Sequence, residues 1–284
     1  MIPTTFEYAR ATSIDDALAK LKAAGSGAKF IAGGHSLIPL MKLRLSEPQV
    51  LIDISRLPEL AGIREREGKI VIGAGTVHHD VATSSLLREQ CPVVAEAAAE
   101  IGDPQVRHRG TLGGSVAHAD PSADMPAVLM ALDAEIHLRG PKGWRMVKSS
   151  DFFQGLFTVD MASDEIIASV QFVPMRAAGY AKLHQRASHY AIVGVAAALE
   201  VRSGTIASAR IGLTGAGSHA QRLSNVEQAL AGQPLSAQVI DGAAQVAGQG
   251  VEDVNSDIHA SEDYRRAMIP VFTRRALVAA MARG

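Results

Sequence analysis

Ala32-Gly33-Gly34-His35-Ser36 runs straight into Leu37-Ile38-Pro39-Leu40-Met41-Lys42, and further along Gly110-Thr111-Leu112-Gly113-Gly114-Ser115 precedes Asp120-Pro121 and a predicted helix from about Ala123. Each stretch joins a glycine pair to a following helix, and Lys29 to Ala32 adds a short strand before the first. Paired glycines let the backbone take positive φ and come close to a ligand. Successive free N–H groups then form a concave anion nest, and a helix N-terminus adds favourable potential for phosphate. Ser36, Thr111 and Ser115 offer hydroxyl donors. Two such loops could hold a pyrophosphate from both sides. A plain tight turn explains either loop equally simply, because glycine is the default turn residue. The spacing alone leaves both readings open.

Outward from these loops the chain alternates strands and helices. Ser13-Ile14-Asp15-Asp16 reads as a capping box with Asp in place of Glu, and Ile14, Ala17, Leu18 and Leu21 recur at helical spacing until Gly25 and Gly27. Val50 to Ile54 reads as a strand, and Ile63 to Gly73 as a hairpin turning at Glu67-Gly68. Helices are predicted over Val77 to Leu87, Pro92 to Ile101 and Ala123 to Leu132, with Pro126 tolerated in a first turn. Strands are predicted over Glu135 to Arg139, Arg145 to Lys148 and Ile166 to Val173. The character changes near Pro174 to Gly179. Tyr190 to Val201 and Thr205 to Thr214 read as strands, and helices follow over Ser224 to Ala231, Ser236 to Gly248 and from Ser261 onward. The reading is α+β throughout, with a boundary near residue 176.

The bulk numbers narrow the function classes. The 284 residues are 47% hydrophobic and 20% charged, which suits a globular protein with a sizeable core. A formal net charge of -1 speaks against a nucleic-acid partner. No apolar run reaches the length of a membrane span, and the first ten residues lack a secretory signal pattern, so a cytoplasmic location is expected. Cys91 is the one cysteine, so this chain alone can form neither an internal disulfide nor an iron–sulfur cluster.

The glycine stretches and their surroundings resemble a known family. Ala32 to Arg44 is similar to the first FAD motif of the carbon monoxide dehydrogenase medium subunits and the wider molybdenum hydroxylase flavoproteins. Ile101-Gly102-Asp103-Pro104-Gln105-Val106-Arg107-His108-Arg109 and Gly110 to Ser115 are similar to the second, continued by Ala117-His118-Ala119-Asp120-Pro121-Ser122-Ala123-Asp124. His35 stands where some relatives have glutamine and Leu112 where isoleucine is commoner; Pro104 and His108 also vary. The resemblance extends along essentially the whole chain. It implies a two-part FAD-binding domain of the vanillyl-alcohol-oxidase (PCMH) type over 1–176, with subdomains of about 1–55 and 56–176. A smaller α+β domain over 177–284 would follow, carrying a short antiparallel sheet and a helical bundle.

By resemblance, Ala32, Gly33, Gly34, His35 and Ser36, with Gly110, Thr111, Gly113, Gly114 and Ser115, would wrap the FAD pyrophosphate and ribityl region. Ile101, Asp124, Ile167, Lys182 and Tyr190 match positions near the cofactor, Lys182 only across a one-residue gap. Asp124 could instead cap a helix, Lys182 could be a solvated surface lysine, and Tyr190 could pack in a strand with its hydroxyl satisfied. The resemblance further implies a large subunit with the molybdenum cofactor, joined by copper in the carbon monoxide enzymes, and a small subunit with two [2Fe-2S] clusters. A dimer of heterotrimers would pass electrons through FAD to an external acceptor such as a quinone, with peripheral membrane contact an option. No residue of this chain is assigned as an acid or base.

Other patterns are weaker. Gly215-Ala216-Gly217-Ser218-His219-Ala220 fits a dinucleotide fingerprint spacing but lies outside a clear βαβ unit and reads as a loop. His78-His79-Asp80 and His118-Ala119-Asp120 lack a convergent ligand set, so no metal is assigned. Arg107-His108-Arg109 could face phosphates, a partner or solvent. Arg265, Arg266, Arg274 and Arg275 read as a solvated helix face or a partner contact.

Overall fold

A computed structural model describes residues 2–284. Strand β1 (Glu7–Arg10) leads to α1 (Ile14–Ala24), β2 (Ala28–Ile31), α2 (Leu37–Lys42) and β3 (Val50–Asp53), and the strands form a parallel sheet in the order β1-β3-β2. Ser13 caps α1 by accepting from the Asp16 N–H at 3.0 Å. The box is not reciprocal, because the Asp16 carboxylate instead accepts from the Thr12 N–H and hydroxyl. Ile14, Ala17 and Leu21 are buried, and Gly25 at φ 70 ends the helix.

The next stretch holds β4 (Ile63–Arg66), β5 (Lys69–Gly73), α3 (His78–Thr83), α4 (Ser85–Gln90), α5 (Pro92–Ala99), α6 (Pro104–Arg107), α7 (Leu112–His118) and α8 (Asp124–Ala131). Glu67 and Gly68 both take positive φ, the backbone a tight two-residue hairpin turn needs. The single helix predicted over Val77 to Leu87 is two, because Ser84 leaves the helical region and caps α4 by accepting from the Leu87 N–H. Then come β6 (Glu135–Gly140), β7 (Gly143–Lys148), α9 (Ser149–Phe152), β8 (Phe153–Gly155), β9 (Thr158–Val159) and β10 (Ile166–Phe172). An antiparallel sheet in the order β4-β5-β10-β6-β7 results.

The remaining chain forms β11 (Ala178–His184), β12 (Ala191–Arg202), β13 (Thr205–Thr214), β14 (Gln221–Arg222), α10 (Ser224–Leu230), α11 (Ala237–Gln245) and α12 (Glu262–Met281). Strand β11, hidden from the sequence reading by its Gly179-Tyr180-Ala181-Lys182 run, completes the sheet β11-β12-β13-β14. Strand β12 is buried on both faces. Val193, Val195, Ala197 and Leu199 join the core beneath α12, while Ala196 and Ala198 join the core that contains α8. This alternation explains why β12 reads as a continuous apolar run.

Small residues make the layers fit. A Cβ on Gly212 would lie 2.1 Å from the Ala127 carbonyl oxygen of α8, and one on Gly179 would lie 2.6 Å from the Ala276 oxygen of α12. Arg265 of α12 is buried rather than solvated, because its guanidinium donates to the Ile192 and Gly215 carbonyls and pairs with Asp257 at 2.6 Å. The Gly215 segment is a loop closing the end of β13, not a nucleotide fingerprint. Gly212→Ala must therefore push α8 off the sheet. A loss on the order of 1–3 kcal/mol is expected, read as a lowered urea midpoint at constant slope; an unchanged midpoint would show that the seam is slack.

Candidate functional site

The loop after β2 and the segment leading into α7 face each other across a cleft of about 570 Å³. Their separation is set by backbone contact. A Cβ on Gly33 would lie 2.2 Å from the Arg109 carbonyl oxygen, so only glycine allows this approach. Gly34 has φ 75, and a Cβ there would meet Ile38 Cδ1 at 2.8 Å. The chain thereby turns so that the N–H groups of Gly33, Gly34, His35 and Ser36 find no acceptor among the described residues. The Ser36 hydroxyl makes no cap bond to α2. A row of consecutive unpaired donors on a partly exposed loop is available to an anionic ligand.

The second stretch works differently from its reading as a loop before a helix at Ala123. Thr111 is itself an N-cap, and the glycine pair lies in the first turn of α7. The N–H groups of Leu112, Gly113 and Gly114 are already bonded to Thr76 O, Ala74 O and Thr111 Oγ1. Gly113 is needed for packing, since its Cβ would meet Ala74 Cβ at 2.4 Å. What this side offers the cleft is the Ser115 hydroxyl, the Thr111 side chain and a smooth glycine surface.

Ile101, Asp124, Ile167 and Tyr190 also line the cleft, with apolar walls from Leu37, Leu40 and Ile166. Arg107 braces the Ile101 side by donating to the Ile101 and Gly102 carbonyls at 2.9 and 3.1 Å, so this member of the basic run faces inward. Glu165 stiffens the Ile167 side through a two-bond pair with Arg145 at 2.6 and 2.7 Å, which holds its carboxyl below the usual glutamate range. Tyr190 precedes β12 and is 47% exposed, so it is a mouth residue rather than a strand-packed one.

Lys182 is the sequence-predicted residue that does not line the cleft. Neither is it a surface lysine: its side chain is 1% exposed, and its ammonium lies 2.9 Å from Asp124 Oδ1. It also donates to the Glu100 and His189 carbonyls, both at 2.8 Å. Asp124 is the first residue of α8 and not its cap, since Ala123 holds that place without a side-chain bond. Burial pushes the Asp124 carboxyl up, with Lys182 and the Tyr180 hydroxyl at 2.5 Å opposing.

His118 and His78 are among the cleft residues left unassigned in the sequence. His118 lines the wall and meets Phe157 in a tilted ring contact at 5.1 Å between centroids, and burial lowers its pKa. His78 is buried beside Gly110. No group of three or more metal-ligating side chains converges among the described residues.

Residues 4–175 match the family described as FAD binding domain in molybdopterin dehydrogenase, and residues 178–280 match CO dehydrogenase flavoprotein C-terminal domain. The chain belongs to the molybdopterin dehydrogenase flavoprotein family. Within it, the chain is 40% identical to the carbon monoxide dehydrogenase medium chain of Hydrogenophaga pseudoflava, covering 100% of this chain and 99% of that one. It is 38% identical to the 6-hydroxypseudooxynicotine dehydrogenase complex subunit alpha of Paenarthrobacter nicotinovorans, covering 100% and 97%. A solved structure of carbon monoxide dehydrogenase from Hydrogenophaga pseudoflava contains a chain that superposes with a TM-score of 0.95 at 40% identity, covering 100% of this chain and 99% of that one.

In this family member, Lys182 ties β11 to α8, to the Glu100 segment and to the loop bearing Tyr190. Lys182→Met removes one partner of a buried pair and leaves Asp124 uncompensated. A loss on the order of 3 kcal/mol is expected, with part of it recovered in Lys182→Met/Asp124→Asn, both measured by urea unfolding. Equal losses in single and double variants would show that the pair is not the strut.

Proposed function

We propose that this chain is the FAD-carrying medium subunit of a molybdenum-containing hydroxylase complex, of the carbon monoxide dehydrogenase type. Its flavin-binding part ends near residue 176. The observation that carries this reading is the row of unpaired N–H groups at Gly33 to Ser36 facing the Ser115 side of a cleft of cofactor size. Those groups would hold the FAD pyrophosphate, with Ala32 as the strand exit that aims them and Gly110 to Ser115 closing the other side. Ile101, Ile167 and Tyr190 would line the flavin region. Asp124 would present its carboxylate edge there, and Lys182 would act through Asp124 and the His189 carbonyl rather than by touching the cofactor.

When bound, FAD supplies interchange between paired and single electrons. The chain's own work is to bind and orient the cofactor, keep water from its apolar walls and leave one edge open beside Tyr190. Electrons would come from [2Fe-2S] clusters on a small partner subunit, with substrate oxidised at molybdenum on a large one, and leave to an acceptor such as a quinone. The single, buried Cys91, whose thiol burial pushes up to about 12, offers no cluster ligand set of its own. A dimer of heterotrimers in the cytoplasm is the assembly this reading favours. Among the described residues no helix is long and apolar enough to cross a membrane. Near-equal identity to carbon monoxide and hydroxypseudooxynicotine enzyme subunits leaves the substrate to the large subunit.

The test is purification of the native complex through this chain, followed by an absorption spectrum and metal analysis. Flavin bands with iron, molybdenum and two further subunits are expected, and copper would assign carbon monoxide as substrate. A yellow chain without metals or partners, bleached by a small substrate, would overturn the relay and make it a self-sufficient oxidase. Gly34→Val should abolish FAD retention, since it strains a positive φ and collides with Ile38. Retention of the flavin absorption band in that variant would remove the nest from the site.

A further inference from the structure

His78 is 4% exposed, yet its ring forms part of the cleft wall. The Nδ1 atom is sealed from solvent and has no hydrogen-bond partner. The opposite edge turns toward Gly110: a Cβ there would lie 3.1 Å from Cδ2 and 3.5 Å from Nε2. The His78 N–H also donates to the Gly110 carbonyl at 2.9 Å, which fixes the ring beneath the second glycine stretch. With Nδ1 sealed, the ring can meet a partner only through its Nε2 edge, on the side of Gly110 and the cleft.

The tautomer follows from the surroundings. A proton on Nδ1 would be a buried donor with no acceptor within reach, whereas a proton on Nε2 lies on the edge that a cleft ligand can meet. A doubly protonated ring would incur both the unsatisfied donor and the desolvation of a charge. Burial accordingly lowers the pKa to about 4. The neutral ring therefore carries its proton on Nε2, on the edge that glycine at 110 leaves uncovered.

We infer that His78 is a further cofactor-binding residue, a neutral donor that presents Nε2–H to the pyrophosphate held by the Gly33 to Ser36 loop. This rests on the flavoprotein reading above. It also explains the glycine at position 110: a side chain there would cover the donor. The role is recognition of the diphosphate, not of the flavin ring, so any ligand with that group should sense it.

The test uses the full chain stripped of FAD and titrated with FAD, ADP and riboflavin. A hydrogen bond from a neutral donor to a charged group implies roughly 10- to 100-fold weaker binding of FAD and ADP to His78→Phe. Riboflavin binding should not change, and His78→Gln, which restores an N–H near the same place, should recover part of the loss. In the unaltered chain, ADP should shift the Nε2–H resonance in a histidine nitrogen–proton spectrum. Unchanged FAD and ADP affinity in His78→Phe would overturn the inference, as would an equal loss for riboflavin or a proton found on Nδ1. If the unaltered chain takes up no FAD at all, the flavoprotein reading fails first, and the two failures are told apart.

Discussion

A Cβ at position 33 would sit 2.2 Å from the Arg109 carbonyl oxygen, and the arrangement of the cleft follows from that close approach. The two backbones touch there, and the N–H groups of Gly33 to Ser36 find no acceptor among the described residues. The helix side needs no free donors of its own, because its first-turn N–H groups are bonded to Thr76, Ala74 and Thr111. One wall of the cleft is therefore a polar nest and the other a rigid, internally satisfied surface. Such a division of labour suits an extended ligand with a charged centre and apolar ends.

The C-terminal sheet enters this site by packing rather than by a motif. Strand β12 lies between α8 and α12, and its alternating residues feed two different cores. Because α8 begins at Asp124, the same packing brings Lys182 of β11 against the cleft from behind. The Lys182 ammonium then fixes three cleft segments through one carboxylate and two carbonyls. A charge so buried is tolerable only because every donor has a partner.

Local signals in the sequence were legible wherever the physics was local. The Ser13 cap, the Glu67-Gly68 turn and the first glycine nest depend on residues within a few positions of each other. The sequence reading was incomplete where a distant partner decided the outcome. Gly113 reads as a phosphate-loop glycine and does line the cleft, but its lack of a side chain is also demanded by Ala74, just after β5. Arg265 reads as a solvated helix residue but is drawn inward by carbonyls at Ile192 and Gly215. His78 reads as half of an unpromising histidine pair, and nothing near it in sequence announces that its ring would be walled in beside Gly110.

From the sequence alone came the α+β class, the order of most elements, the two glycine stretches and the family resemblance they carry. Glycine and capping residues act on their own backbone, so their meaning survives without coordinates. Only the tertiary structure decided which N–H groups stay unpaired, that Lys182 stands behind Asp124 instead of facing the cleft, and that α8 and α12 pack on opposite faces of the sheet that holds β11. Each of these depends on which atoms far apart in the chain come within hydrogen-bonding or van der Waals distance, and a linear pattern does not encode that directly.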